Sequence, residues 1–360
     1  MSADLPAWAV WRRGNEYTLG VEEEVMLLNP HDWSLAQQVD RVLPTLSAEL
    51  SERVTPETHR CALELSTGVH DTPAGLGGEL LELRRMLDAE LAPLGLDCAS
   101  AATHPSTVWH ETVVSSGDRY QLVYGSMREL ARREPTFALH VHVGVDDPED
   151  AICLTNRMRT HLPLLLALSV NSPFWQGRDT GLGSARTPLF QAFPRVGIPR
   201  SFDDYAEWVE TVDLLIRCHA FPEATFLWWD VRPQPRFGTV EVRILDAQTT
   251  VTETVALVAL VQCIARLEIV DGYAPERLVV TQEVLDENRF LAARDGMQAE
   301  FIDPVAERTG AQRQLEIARS ADRLPGLVAR LAEAFCSEGY PRSDGAGVPS
   351  ASSFESSGSG

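Results

Sequence analysis

Glu22, Glu23 and Glu24 stand side by side in the run EYTLGVEEEVMLLNP. The run alternates like a strand, so Glu22 and Glu24 are expected on one face and Glu23 on the other. Carboxylates this close, set among apolar residues, need a compensating cation if they are buried. Glu23, on the apolar face, needs a partner such as an arginine from a covering helix, or a bulge. Three more segments carry the same kind of residue: Glu64 in CALELSTG, His140 and His142 in TFALHVHVGVDD, and Glu241 with Arg243 in RFGTVEVRILDAQTTV. Each is ambiguous alone. A single glutamate on a strand is commonly solvated, a His-x-His is often a hydrogen-bonded pair, and Glu-x-Arg can be a surface ion pair of little energetic worth. Together they read as a hard-oxygen site for a divalent cation. Cysteine is absent from the set, so Mg²⁺ or Mn²⁺ fits better than structural zinc. An arginine beside such ligands suits the clamping of a phosphate or carboxylate. Metal with arginine is one way to hold ATP and transfer its γ-phosphoryl group.

These residues must be positioned by strands with one apolar and one polar face. In TFALHVHVGVDD, Phe137, Leu139, Val141, Val143 and Val145 share a face opposite His140 and His142. In the later strand Val240, Val242 and Ile244 are expected to oppose Glu241 and Arg243. Residues 75–92 read as an amphipathic helix on the stripe Leu76, Leu80, Leu83, Leu87 and Leu91. Further helices are expected at 35–55 (weakly), 119–133, 149–169, 203–219, 252–271, 276–295 and 311–337. Residues 171–200 read as a long irregular loop and a candidate lid. One-faced strands suit an α+β fold: an antiparallel sheet with helices on one face and an open active-site cleft on the other. Residues 1–340 are expected to form a single catalytic domain, and the Ser/Gly-rich 341–360 to be a disordered tail.

The chain has 360 residues and a formal net charge of −21, which argues against nucleic acid or an anionic membrane as partner. All 31 basic residues are arginine. That excludes a phosphate-loop lysine, a Schiff base and a carbamylated-lysine metal bridge. Six scattered cysteines with no CxxC pair fit reduced thiols. The apolar run 162–170 is too short to span a bilayer. A soluble, cytoplasmic protein is expected.

The motifs Gly20-Val21-Glu22-Glu23-Glu24, Leu63-Glu64-Leu65, His140-Val141-His142-Val143-Gly144 and Glu241-Val242-Arg243-Ile244-Leu245-Asp246 resemble, in order and setting, those of the glutamate–cysteine ligase type 2 family. These are carboxylate–amine ligases on the glutamine-synthetase-like fold. Ser184-Ala185-Arg186, Trp228-Trp229-Asp230-Val231-Arg232-Pro233 and Glu287-Asn288-Arg289-Phe290 extend the resemblance over about residues 15–300. It implies that Glu22, Glu24, Glu64, His140 and Glu241, with Glu57 less surely, hold two or three Mg²⁺ ions around the phosphates of ATP. His142 and Arg243 would contact the triphosphate. Arg186, and more weakly Arg232, would bind the substrate carboxylate or the transferring phosphoryl group. His104 is a site candidate or a turn cap before Pro105; Trp228 and Trp229 are packing candidates. The implied reaction joins glutamate to an amine such as that of cysteine through an acyl phosphate. Pro194-Arg195 departs from the small polar residue expected after the proline, which leaves other carboxylate and amine pairs open. A zinc hydrolase built on His140 and His142 and a non-catalytic nucleotide binder are the rival readings. The expected partners are small molecules, with a homodimer as the assembly to test for.

Overall fold

The computed structural model describes residues 5–133, 135–270, 280–303 and 308–309. Its centre is β1, Leu19–Leu28, whose odd residues Leu19, Val21, Glu23 and Val25 are buried while Gly20, Glu22 and Glu24 are not fully so. β2 (Val54–Pro56), β3 (Ala62–Ser66), β4 (Asp97–Ala99), β5 (Ala138–Gly144), β6 (Val231–Gln234) and β7 (Thr239–Asp246) complete a seven-stranded sheet. The order is β6-β7-β5-β1-β3-β2, with β4 paired to the far end of β1, and every pairing in it is antiparallel.

Helices cover the apolar face: α1 (Pro73–Leu91), α3 (Pro148–Met158), α4 (Leu162–Ser169) and α6 (Val251–Val270), with α6 against α1, α3 and β5 and α4 against β7. α2 (Asp118–Met127), α5 (Tyr205–Arg217) and α7 (Gln282–Asp295) lie further along the chain. The leucine stripe of α1 is buried as its spacing predicts. Thr72 caps that helix by accepting from the Gly75 amide at 3.2 Å, and Pro73 occupies the first turn, where no amide is needed. Gly77 lets α1 approach α6, because a Cβ there would lie 2.4 Å from a Val255 methyl.

Five expectations change in detail. The segment 149–169 is two helices, broken before Pro163, which cannot donate within a continuous helix. Residues 35–55 hold only short turns of helix, and 119–133 divides at Arg128, whose φ is +55°. Residues 171–200 are not irregular throughout: they contain a small hairpin (Phe174–Trp175 with Arg178–Asp179) and a short helix, Arg186–Phe190. β7 carries a bulge: Val242 pairs with Val141 and Leu245 with Leu139, so Arg243 and Ile244 together oppose His140. Ile244 and Leu245 are both buried in the core, and Asp246 returns opposite Ala138. The expected helix 311–337, the boundary near 340 and the tail lie outside the described residues.

Glu23 finds the helix arginine that its position requires. Arg84 of α1 forks onto it, with Nε and Nη2 each 2.7 Å from a carboxylate oxygen, and the Thr254 hydroxyl donates at 3.2 Å. Arg84 also donates to the Gln248 and Thr249 carbonyls, both at 2.8 Å. Glu23 is fully buried, so losing its partner strands a charge in the core. Arg84→Met is expected to destabilise the fold by about 3–5 kcal/mol, read as a lower urea midpoint. A midpoint unchanged from wild type would show that the pair does not hold the sheet to its helices.

Candidate active site

The antiparallel register sets the polar residues beside one another. Glu22 of β1 lies opposite His140 of β5, and Glu24 opposite Glu64 of β3. Glu241 of β7 lies between His142 of β5 and Arg232 of β6. Directly opposed residues on one face have Cβ atoms about 4.5–5.5 Å apart, so chelating side chains converge without any special loop. Glu57, just beyond β2, closes the group at the Glu64 end. Three sets of ligand atoms each lie within 4.8 Å of one another: Glu22, Glu64 and His140; Glu22, His142 and Glu241; and Glu24, Glu57 and Glu64. Glu22, Glu24, Glu57, Glu64 and His140 line a cleft of about 420 Å³, and His142 and Glu241 are buried beside them.

The sets overlap through Glu22 and Glu64. His140 Nδ1 is 3.2 Å from Glu22, and His142 Nε2 is 3.6 Å from it. The Thr239 hydroxyl engages His142 Nδ1 at 2.9 Å, which turns Nε2 toward Glu22 and Glu241. Nε2 of both imidazoles is buried with no hydrogen-bond partner among the described residues. Buried ring nitrogens aimed at carboxylates are the donor set that a divalent cation satisfies. The residues present therefore fit Mg²⁺ or Mn²⁺.

Electrostatics agree. Burial, and then the charge of Glu57, push the Glu24 carboxyl up to about 8. Burial, then Glu22, Glu57 and Glu24, hold Glu64 well above the usual carboxylate range, and burial raises Glu57. Glu22 goes the other way: burial opposes its ionisation, but the hydrogen bond with His140 and the nearby His142 imidazole hold it well below the usual range. Burial, reinforced by Arg243, brings His140 down to about 4, so its imidazole is neutral at pH 7 and free to ligate.

The arginines divide by role. Arg243 Nη1 contacts Glu241 and lies 3.3 Å from His140 Nδ1, while its Nε is buried with no hydrogen-bond partner among the described residues. Arg232 is the structural partner of Glu241, at 2.7 Å, and also donates to the Thr225 and Leu227 carbonyls at 3.0 and 2.5 Å. Arg186 lines the cleft, yet Nη1 and Nη2 donate to the Ile244 and Arg243 carbonyls at 3.1 and 3.2 Å, and Asp246 lies 3.8 Å away. Asp246 also accepts from the Ser172 and Ser184 hydroxyls at 2.7 and 3.0 Å, which pins both ends of the 172–186 segment to β7. His104 does not line the cleft. Its ring is occupied by the Trp33 carbonyl at 2.7 Å and by Thr107 at 2.8 and 3.0 Å, the hydrogen bonds of a turn cap. Trp228 borders the cleft and packs on Phe193 and Phe226, whereas Trp229 packs on Phe202. Arg289 meets Asp230 at 2.5 Å, joining two of the quoted motifs through a structural ion pair.

Several lining residues escape the sequence pattern: Arg119 and Tyr120 at the start of α2, Glu223 and Thr225 before β6, and Arg236 and Phe237 in the β6–β7 turn. Arg119, Tyr120, Glu223 and Thr225 lie in no quoted segment, and Arg236 and Phe237 open the run RFGTVEVRILDAQTTV ahead of its alternating part, so no local signal marks them.

The model of glutamate-cysteine ligase family 2 (GCS2) matches residues 18–329. The chain is 41% identical over 306 residues to "Putative glutamate--cysteine ligase 2-1" of Rubrobacter xylanophilus, covering 85% of this chain and 81% of the relative. It is 38% identical over 330 residues to "Putative glutamate--cysteine ligase 2" of Sorangium cellulosum, covering 90% and 86%. Among solved structures it resembles the glutamate–cysteine ligase of Francisella tularensis in complex with AMP, with a TM-score of 0.64, 12% identity and coverage of 90% of this chain and 79% of that one. That likeness shows a shared fold, the α+β architecture expected from the one-faced strands.

A raised carboxyl has a definite sign in stability. Glu24 contributes fully below its unfolded value of 4.5 and loses that contribution as pH rises through about 8. In EDTA, the melting temperature is therefore expected to fall between about pH 5 and 9, with Mg²⁺ restoring it most at the alkaline end, where ligands need not shed protons. Glu24→Gln should flatten the slope and blunt the Mg²⁺ effect. A pH slope and Mg²⁺ response identical to wild type would remove Glu24 from the ligand set.

Proposed function

Because the chain belongs to glutamate–cysteine ligase family 2, we propose that it is an ATP-dependent carboxylate–amine ligase that joins glutamate to cysteine, releasing γ-glutamylcysteine, ADP and phosphate. The observation that carries the reading is the trio of overlapping ligand sets on one sheet face, with Arg243 at their edge. Family membership favours this over the zinc hydrolase and the non-catalytic binder.

In this reading Glu22, Glu24, Glu57, Glu64, His140 and Glu241 would hold Mg²⁺, and the ion would supply positive charge to the phosphate oxygens that a carboxylate must approach. A γ-carboxylate oxygen of glutamate bonds to the γ-phosphorus of ATP, the bond to the β-phosphate oxygen breaks, and ADP leaves. The cysteine amine then attacks the acyl phosphate carbon, sheds a proton, and phosphate departs with the electrons of its C–O bond. Arg243, whose side chain lines the cleft, offers its guanidinium to the transferring group, a charge-assisted contact that strengthens as negative charge develops. Arg186 adds positive charge nearby but is held by backbone carbonyls, so it supports the wall more than it grips a ligand. His142, fixed by Thr239, reaches the phosphate region only as a neighbour of Glu22 and Glu241. Arg232 acts through Glu241. Small molecules suit a cleft of this size, and the need for ATP and a reduced thiol fits the cytoplasm. No helix among the described residues is long and apolar enough to cross a membrane.

ADP release with ATP, Mg²⁺, glutamate and cysteine, with a γ-glutamyl product, is the direct test; no ADP with any carboxylate–amine pair would sink the ligase reading. Glu241→Gln is expected to lower kcat by at least about a hundredfold while the fold persists. Arg243→Lys keeps the charge and loses the fork, so kcat should fall far more than KM rises.

A further inference from the structure

Arg119 and Glu223 face each other across the cleft from different elements. Arg119 projects from the first turn of α2, and Glu223 from the segment before β6. The guanidinium contacts Glu223 and the Thr225 hydroxyl, the latter at 3.0 Å, and lies 4.7 Å from the centre of the Phe226 ring. Both side chains are about half exposed, 42% and 52%. An ion pair so solvated contributes about 0–1 kcal/mol, so exchanging it for a ligand is nearly free. Neither residue belongs to the metal group or to any quoted motif.

We propose that Arg119 and Glu223 bind the backbone of a dicarboxylic α-amino acid substrate, Arg119 taking the α-carboxylate and Glu223 the α-ammonium. This rests on the ligase reading and adds where, and in which orientation, the first substrate is held. A zwitterion replaces both partners of the pair at once, leaving neither charge stranded. The mixed pair selects against the alternative occupant, because a nucleotide triphosphate brought to Arg119 would meet the Glu223 carboxylate. Arg236 suits that polyanion better. It has no ion pair among the described residues, and it stands 5.5 Å from the centre of the half-exposed Phe237 ring, an apolar face for a base.

Orientation follows from the neighbours. Tyr120, next on α2, donates its hydroxyl to the Pro56 carbonyl, immediately before Glu57. Arg119 thus stands over the Glu57 end of the carboxylate group, and its charge is felt by Glu57. A substrate fixed by its backbone there runs its side chain toward Glu57, Glu64 and Glu24, which delivers a distal carboxylate to the metal ligands. The opposite wall is equally fixed. Arg232 holds the Thr225 and Leu227 carbonyls while gripping Glu241. Phe226, beneath the guanidinium, keeps its plane and leaves an edge free for a carboxylate.

Direct binding to the full chain tests this without requiring turnover. Calorimetry with Mg²⁺ and a non-hydrolysable ATP analogue would compare L-glutamate, glutarate, which lacks the ammonium, and 4-aminobutyrate, which lacks the α-carboxylate. Wild type is expected to bind glutamate at least about tenfold more tightly than either analogue. Arg119→Gln should weaken glutamate by about tenfold or more and leave 4-aminobutyrate unchanged, with Arg119→Lys recovering part of the loss. Glu223→Gln should weaken glutamate and leave glutarate unchanged. Neither should alter affinity for the nucleotide analogue. Wild type without glutamate selectivity, variants within about twofold of wild type for glutamate, or an equal loss of nucleotide affinity would each overturn the proposal. Both side chains are half exposed, and a matched melting temperature confirms that a variant folds. Selective glutamate binding without ADP release would defeat the ligase reading and leave the subsite standing. ADP release with variants indistinguishable from wild type would do the reverse.

Discussion

The structure turns on the gathering of like charges on one face of a sheet. Glu22, Glu24, Glu57 and Glu64 lie close enough to suppress one another's ionisation, and of the four only Glu22, hydrogen-bonded to His140 and close to His142, is held well below the usual carboxylate range. Burial in the sheet makes that crowding more severe, since a low-dielectric surround weakens screening. What makes it tolerable is placement: His140 and His142 from β5 on one side, Arg243 and Arg232 through Glu241 on the other. The antiparallel order β7-β5-β1-β3 is what brings those groups to the same row.

The same strand has to satisfy its other face. Glu23 points away from the cleft into a core that admits no free charge, and Arg84 answers it from α1. Because Arg84 also holds the Gln248 and Thr249 carbonyls just past β7, one side chain joins the central strand, a covering helix and the exit of the strand that carries Glu241 and Arg243. Arg232 performs a comparable service on the cleft side, linking the Glu241 carboxylate to the turn that carries Thr225. Rigidity around the site comes from such bridging arginines, each used by two or three elements, in a chain that has no lysine.

Much of this was legible from residue order. Period-two alternation separates Glu23 from Glu22 and Glu24, puts His140 and His142 on one face and asks for a partner to Glu23, such as a helix arginine, or a bulge; the helix stripe of Leu76 to Leu91 is equally plain. What could not be read has physical causes. The β7 bulge leaves no composition signal, because Ile244 and Leu245 are both acceptable core residues and only pairing with β5 decides between them. The family resemblance gives Arg186 a substrate, and nothing in its own segment shows that the carbonyls of residues 243 and 244 also hold it. Arg119 and Glu223 come from a helix start and a turn, and their meeting depends wholly on tertiary arrangement.

The bulge in β7 carries a consequence for how this chain can vary in length. Upstream of it Glu241 and Arg243 belong to the cleft row; downstream, Leu245 takes the core and Asp246 the cleft-side row. The extra residue therefore acts as a phase shift between two halves of one strand. From Glu241 to Asp246, β7 uses one residue more than β5 uses from His142 to Ala138. Losing either Arg243 or Ile244 would therefore leave Glu241 opposite His142 and Asp246 opposite Ala138, and the strand would run straight. The bulge is thus a place where β7 can shorten by a residue without moving the carboxylate beside His142 or the anchor of Arg186 and the serines. Length is freer there than identity: what such a loss must spare is the arginine, not the count.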